Sequence, residues 1–239
     1  MIKTAVIMAA GMGTRFGNRT ELIPKGFVPA GGIPMVIRSI DTLKACGIER
    51  IIIGTGYHKE HYEDLAAKTE GIECVFSSRY ADTNSMYTLW NCREAIGDDD
   101  FLLLESDLVF EKKAITSLIN CEAQDVMLIT PVTKFQDQYY VESNKDNILT
   151  YCSVNKDELN AKGELVGIHK LSNSFYKKMC EDYAKIVEDK PKLGYEYELL
   201  SMSLNISPVF VLNVPGLLWY EIDDVKDLAY AEEKILSKF

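Results

Sequence analysis

Short apolar runs and amphipathic stretches alternate along the first 131 residues. Residues 3–9 form an apolar run that predicts a strand, and 34–46 predicts a helix. In that helix Pro34 sits near the first turn, Val36, Ile40 and Leu43 share one face, and Gly47 supplies the stop. Strands are predicted at 50–57, 72–78, 100–106 and 125–131, with helices at 59–68, 85–95 and 111–120 between them. Strands this apolar, separated by helices, predict a mostly parallel, Rossmann-like α/β sheet with helices on both faces.

The rhythm then changes. Residues 138–171 read as hairpins, with turn signals at Asn144-Lys145-Asp146-Asn147 and Ala161-Lys162-Gly163. Helices are expected at about 172–188 and 195–205, a strand at 208–214, a short segment at 218–222 and a last helix from about 224. With no repeat and no long linker, residues 1–239 read as a single domain with a small β-rich insert at about 132–205.

Composition narrows the classes. The chain is 47% hydrophobic and 26% charged, as globular proteins are. It has no apolar run of membrane-spanning length and no signal-peptide pattern, so a cytoplasmic protein is expected. The six cysteines form no C-x-x-C pair and read as buried reduced thiols. His58 and His61 could share a helix face, but with only His169 elsewhere they read as solvated helix residues rather than a metal site. A net charge of −10 argues against nucleic acid or an anionic membrane as partner. Residues 1–50, however, hold seven Lys/Arg against three acids. A local basic patch on an acidic protein suits a small, highly charged anion.

That patch coincides with the stretch AAGMGTRFGNRTELIPK, residues 9–25. Its glycines follow G-x-G-x-x-x-G rather than the dinucleotide G-x-G-x-x-G, and the second strand ends Gly54-Thr55-Gly56-Tyr57 without an acid for a ribose. The Walker pattern fails as well, since Lys25 neither follows a glycine nor precedes Ser or Thr. What remains is a glycine loop with built-in cations. Backbone N–H groups at Gly11 and Gly13 can hold phosphate oxygens, Arg15 offers a planar fork and Lys25 a point charge. An ordinary glycine turn with surface cations is the plainer alternative.

These residues resemble a family. MAAGMGTRFG…PKGFVPAGGIPMV is similar to the signature of the nucleotidyltransferase superfamily that makes nucleoside-diphosphate sugars, alcohols and phosphonates. YADTNSMYTLW (80–90), ESDLVF (105–110) and WYEIDDVKD (219–227) narrow the resemblance to bacterial cytidylyltransferases acting on 2-aminoethylphosphonate or phosphocholine. It implies a nucleotide-diphospho-sugar transferase fold, CTP as donor, Mg2+ as cofactor and a small phosphonate or phosphate amino-alcohol as acceptor. Arg15 and Lys25 would be catalytic. Ala9, Ala10, Gly11, Gly13, Thr14, Asn84 and Ser85 would bind nucleotide, though Asn84 and Ser85 also suit an ordinary helix N-cap.

Nucleotide transfer needs positioned charge more than covalent protein chemistry, and a hard cation needs oxygen ligands. Asp107 lies just past a buried strand, where open α/β sheets bind ligands. The resemblance pairs it with Asp223 as metal ligands. Asp223 or Asp224 could instead cap the last helix, and Glu105 is expected to face away from Asp107. In the insert, Tyr139, Tyr140 and the run Tyr195-Glu196-Tyr197-Glu198 are aromatic and acidic. Choline calls for an aromatic cage, whereas a primary ammonium wants carboxylates. Related phosphocholine enzymes tend to carry an aromatic near position 198. Glu198 there favours 2-aminoethylphosphonate, held by Tyr139, Glu196 and Glu198. Phosphocholine, a sugar 1-phosphate and a catalytically silent nucleotide binder are the alternatives, in that order. A homodimer and a place in a longer fusion both stay open.

Overall fold

The computed structural model describes residues 2–133 and 138–239; residues 134–137, at the start of the expected insert, lie outside that description. Its strands are β1 (Thr4–Ala9), β2 (Pro29–Ala30), β3 (Ile33–Pro34), β4 (Arg50–Thr55), β5 (Ile72–Phe76), β6 (Phe101–Glu105), β7 (Leu108–Phe110), β8 (Val126–Thr130), β9 (Tyr140–Ser143), β10 (Leu149–Ser153), β11 (Gly163–Leu171), β12 (Phe210–Asn213) and β13 (Trp219–Glu221). Its α-helices are α1 (Met35–Ala45), α2 (Lys59–Lys68), α3 (Ser85–Asn91), α4 (Arg93–Ile96), α5 (Lys112–Asn120), α6 (Asn173–Ile186), α7 (Tyr195–Asn205) and α8 (Val225–Tyr230). The stretch expected as one helix at 85–95 breaks at Cys92, where ψ is −6° and the N–H turns to Leu89 O.

Nine strands form one sheet in the order β10-β9-β11-β6-β1-β4-β5, with β8 beside β11 and β12 beside β8. Only β10 and β11 oppose the common direction, so the sheet is mostly parallel. The hairpin region continues this same sheet. The strand alternation divides the core as two covered faces require. Val6, Met8, Phe101 and Leu103 join α3, α4, α6 and α7 on one face. Ala5, Ile7, Ala9, Leu102 and Leu104 join α1, α2 and α5 on the other. A third cluster sits beneath the glycine loop, built by Phe16, Val28, Ala30, Met35, Val109, Ile222, Leu228 and Ala231.

A short antiparallel pair outside the main sheet positions the chemistry. β7 pairs with β13 so that Leu108 faces Glu221 and Phe110 faces Trp219, and the Ile222 N–H donates to Asp107 O at 3.0 Å. This register sets Asp107, before β7, next to Asp223, after β13.

His169 of β11 is fully buried, and neither ring nitrogen is hydrogen-bonded among the described residues. It packs edge-on against Tyr195 at 5.4 Å. Burial pushes its pKa down to about 3, so the folded protein resists the proton that the unfolded chain accepts near pH 6.5. Its contribution is present above pH 6.5 and is lost as pH falls toward 3. Thermal melts of wild type and His169→Leu should therefore converge or cross in the variant's favour on acidification. By pH 4.5 the relative gain should reach about 3 kcal/mol; a gap that does not change between pH 7 and 4.5 contradicts this.

Candidate active site

Lys25 stands between two carboxylates. Pro24 holds the chain extended, and Lys25 then opens a single 3-10 turn, Lys25–Phe27. Its Nζ donates to Asp107 Oδ2 at 2.5 Å and to Asp223 Oδ1 at 2.7 Å. Arg15 Nη2 donates to the same Asp223 oxygen at 2.8 Å. Gly13 makes this approach sterically possible: its φ is +60°, and a Cβ there would lie 3.0 Å from Lys25 Cβ. Burial opposes the lysine charge, but Asp107 and Asp223 outweigh it and hold the ammonium well above the ordinary lysine range.

The same aspartates suit a divalent cation. Asp107 Oδ1 is buried and without a hydrogen-bond partner among the described residues. Oxygens of Asp107, Glu221 and Asp223 lie within 4.8 Å of one another. A hard cation takes such carboxylate oxygens. Asp223 is not the helix cap: Asp224 takes that role, accepting from the N–H groups of Lys226 and Asp227 and leaving the buried Asp223 to the cleft.

Three cavities meet here. One, about 350 Å³, is lined by Ala9, Gly11, Gly13, Thr14, Arg15, Lys25, Asp107 and Asp223 among others. A second, about 200 Å³, is bounded by Ala10, Gly11, Tyr80, Thr83, Asn84 and Ser85. A third, about 450 Å³, carries Tyr139, Tyr195, Glu196 and Glu221 and shares Arg15 and Asp223 with the first. Glu105 borders all three. The arrangement offers a compact niche, a cationic centre and an acidic chamber in sequence.

Asn84 is both a cavity wall and the N-cap of α3, its Oδ1 accepting from the Ser85 N–H and its Nδ2 donating to Lys192 O. Ser85 Oγ accepts from the Tyr195 N–H, capping α7 from a different helix and keeping its own proton to donate. Tyr139 meets Tyr197 edge-on at 5.6 Å. Glu196 lies in the first turn of α7, where burial pushes its carboxyl up to about 7 against the lowering effect of its own backbone N–H. Glu198 departs from expectation. It is buried outside the acidic chamber, with Asp182 and Lys190 as its charged neighbours. Positions two apart on a helix face opposite ways, so Glu196 and Glu198 cannot both point into one chamber.

Two carboxylates escaped the sequence reading. Glu105 is the last residue of β6 and was expected to face away from Asp107, but positions two apart along an extended chain share a face, and both residues border the cleft. Burial, then Asp107, then Glu196 push its carboxyl well above the usual range. Glu221 pairs opposite Leu108, beside the aspartates, and accepts from Gln138 Nε2 at 2.7 Å. Its place two residues before Asp223 on a strand was the available signal.

Comparison with known proteins gives the family. Residues 5–183, more than half of the chain, match the model of the MobA-like NTP transferase domain. The chain belongs to that family. A choline-phosphate cytidylyltransferase of Streptococcus pneumoniae is 28% identical, over 96% of each chain. A 2-aminoethylphosphonate cytidylyltransferase of Lancefieldella rimae is 31% identical over 46% of this chain and 45% of its own. The solved structure of the CTP:phosphocholine cytidylyltransferase from Streptococcus pneumoniae superimposes with a TM-score of 0.81 at 26% identity, covering 97% of this chain and 99% of that one. The fold is that of the nucleotide-diphospho-sugar transferases, and the protein is a nucleotidyltransferase of this family. No helix among the described residues is long and apolar enough to cross a membrane.

The neighbouring aspartates should separate cleanly. Asp224→Ala should cost about 1 kcal/mol of stability through loss of the α8 cap, with nucleotidyl transfer little changed. Asp223→Ala should lower kcat by ~10³ or more, as removal of a charge clamp on the reacting phosphate does. Thermal melts and turnover of both variants test this; near-normal kcat in Asp223→Ala at saturating Mg2+ would contradict it.

Proposed function

We propose that the protein transfers CMP from CTP to a phosphonate oxygen of 2-aminoethylphosphonate, with Mg2+ as cofactor and in the cytoplasm. The observation that carries this reading is the acidic chamber opening directly off the cationic centre. A zwitterionic acceptor fits that polarity, its anionic end toward Arg15 and its ammonium between Glu196 and Glu221. The cytidylyltransferase relatives support CTP as donor. The cytosine would occupy the niche bounded by Ala10, Asn84 and Ser85.

The chain's own residues then divide the work. Backbone at Gly11 and Gly13 cradles the triphosphate. As nucleotide binds, Lys25 and Arg15 exchange carboxylate oxygens for phosphate oxygens, which frees Asp107 and Asp223 as ligands. A divalent cation held there supplies further positive charge at the phosphates. The acceptor oxygen attacks the α-phosphorus. Its new P–O bond forms as the α–β bridging bond breaks, and pyrophosphate leaves with the electron pair. Lys25 and Arg15 neutralise the charge that grows on it. Phosphocholine is the second reading, favoured by Tyr139 and Tyr195 in the chamber and by the relative that aligns along 96% of this chain.

Pyrophosphate release measured with CTP, UTP, ATP and GTP against 2-aminoethylphosphonate, phosphocholine and a sugar 1-phosphate tests the assignment. CTP with the amine should give the highest kcat/KM. Higher turnover of phosphocholine would overturn the acceptor and leave the nucleotide reading standing. Lys25→Met should lower kcat more than it raises the KM for CTP; an effect confined to KM would limit Lys25 to ground-state binding.

Glu196 should make acceptor use depend on pH. An ammonium needs the ionised carboxylate, and with a pKa of about 7 that form grows as pH rises from 6 to 8. The ratio of wild-type to Glu196→Gln kcat/KM for the amine should therefore rise about 10-fold across this range, a ratio that cancels the acceptor's own titration. The folded-state pKa is raised, so the associated stability is present below pH 4.5 and lost as pH rises through 7. Glu196→Gln should accordingly gain about 3 kcal/mol relative to wild type between pH 4.5 and 8. A pH-independent ratio removes Glu196 from the ammonium site. Glu198→Gln should leave acceptor preference unchanged.

A further inference from the structure

We propose that His58 and His61 are positioning residues that hold the segment leading into Lys25. Read alone, the two histidines looked like solvated surface residues of α2. In the structure their rings turn onto the phosphate-binding loop. His58 Nε2 lies 2.9 Å from Glu21 O and His61 Nε2 lies 3.0 Å from Leu22 O. A backbone carbonyl only accepts, so both rings present Nε2–H as donor. Two successive carbonyls, three and four residues before Lys25, are thus tied to one end of one helix.

The backbone at His58 is arranged for this. His58 has φ +52°, and among the described residues only Asn147 shares a positive φ outside glycine. Such a residue carries a conformational cost that surrounding contacts must offset. Glu60 Oε1 stands 3.0 Å from His58 Nδ1, and Tyr57 packs against the ring at 4.0 Å, so the imidazole is oriented from two sides.

The grip continues past Lys25. Phe27 packs on His61 at 5.5 Å and on Tyr62 at 5.0 Å. Tyr62 is 1% exposed, and its hydroxyl lies so close under Gly26 that a Cβ there would fall 2.7 Å from it. Residues 21–22 and 26–27 are therefore both fixed on α2, and Lys25 lies between them. Displacing a catalytic group by about 1 Å can cost 10²-fold in rate. The histidines act through Lys25 and touch no substrate.

This inference rests on the reading that Lys25 acts on the nucleotide's phosphates, and the test separates the two. The double variants His58→Gln/His61→Gln and His58→Leu/His61→Leu are both uncharged and carry the same penalty at position 58. Only Gln can place an N–H near the Nε2 position. Three measurements apply to each: kcat and KM for CTP by pyrophosphate release, amide exchange over residues 19–25, and the melting temperature. The Leu pair should lose ~10–100-fold in kcat, with faster exchange over 19–25 and a melting temperature equal to that of the Gln pair. The Gln pair should recover kcat to within about 3-fold of wild type, in keeping with a restored N–H donor. Equal kcat in the two variants overturns the positioning role. So does a kcat loss in the Leu pair that comes with a matching loss of melting temperature. Inactive wild type under all donors and acceptors would instead overturn the assignment of Lys25.

Discussion

The ion pairs from Lys25 to Asp107 and Asp223 are the constraint around which the cleft is organised. Three charges cannot be buried together unless each meets its partner at short range. Every nearby element serves that meeting. The β7–β13 register brings the aspartates together, Gly13 lets the loop close over Lys25, and Phe16, Val28, Met35, Val109 and Ile222 pack beneath. The glycine loop and the carboxylates lie far apart in sequence, yet neither can be placed without the other.

The same pairing relates the resting site to the proposed reaction. The cations that neutralise the aspartates in the free protein are those that would neutralise phosphates in the bound one. Nucleotide would then substitute one set of anions for another, and the two carboxylates it uncovers would be left to a divalent cation. Beyond Asp223 the chamber changes sign, with Glu105, Glu196 and Glu221 along its walls. Once the two cations turn to phosphate, cationic groups at the centre and carboxylates at one end would suit the zwitterionic acceptor proposed above.

Much of this was legible in the residues. The alternating repeat marked out the sheet and both its helix layers, because strands buried on two faces leave a continuous apolar signature. Lys25 and Arg15 stood out as cations in a glycine loop, and Asp107 by its place past a buried strand. What escaped depended on local geometry finer than a pattern. Glu105 was set aside although period two places it on the same side as Asp107, two residues on. Glu198 was grouped with Glu196 although α7 rotates them apart. Glu221 was overlooked because a three-residue strand gives almost no periodic signal. His58 and His61 looked solvated because the loop that covers them comes from 37 and 39 residues earlier in the chain.

The exchange of Lys25 between carboxylate and phosphate is the central claim, and metal binding reads it directly. Mn2+ titrated into the protein and followed by electron paramagnetic resonance should bind weakly without nucleotide, because the ammonium holds the aspartate oxygens. With a non-hydrolysable CTP analogue the affinity should rise at least ~10-fold beyond that of the analogue for Mn2+ alone, equivalent to about 1.4 kcal/mol of coupling. Lys25→Met should bind Mn2+ tightly without nucleotide. Equal Mn2+ affinity in wild type and Lys25→Met, with no gain from the analogue, would contradict the account.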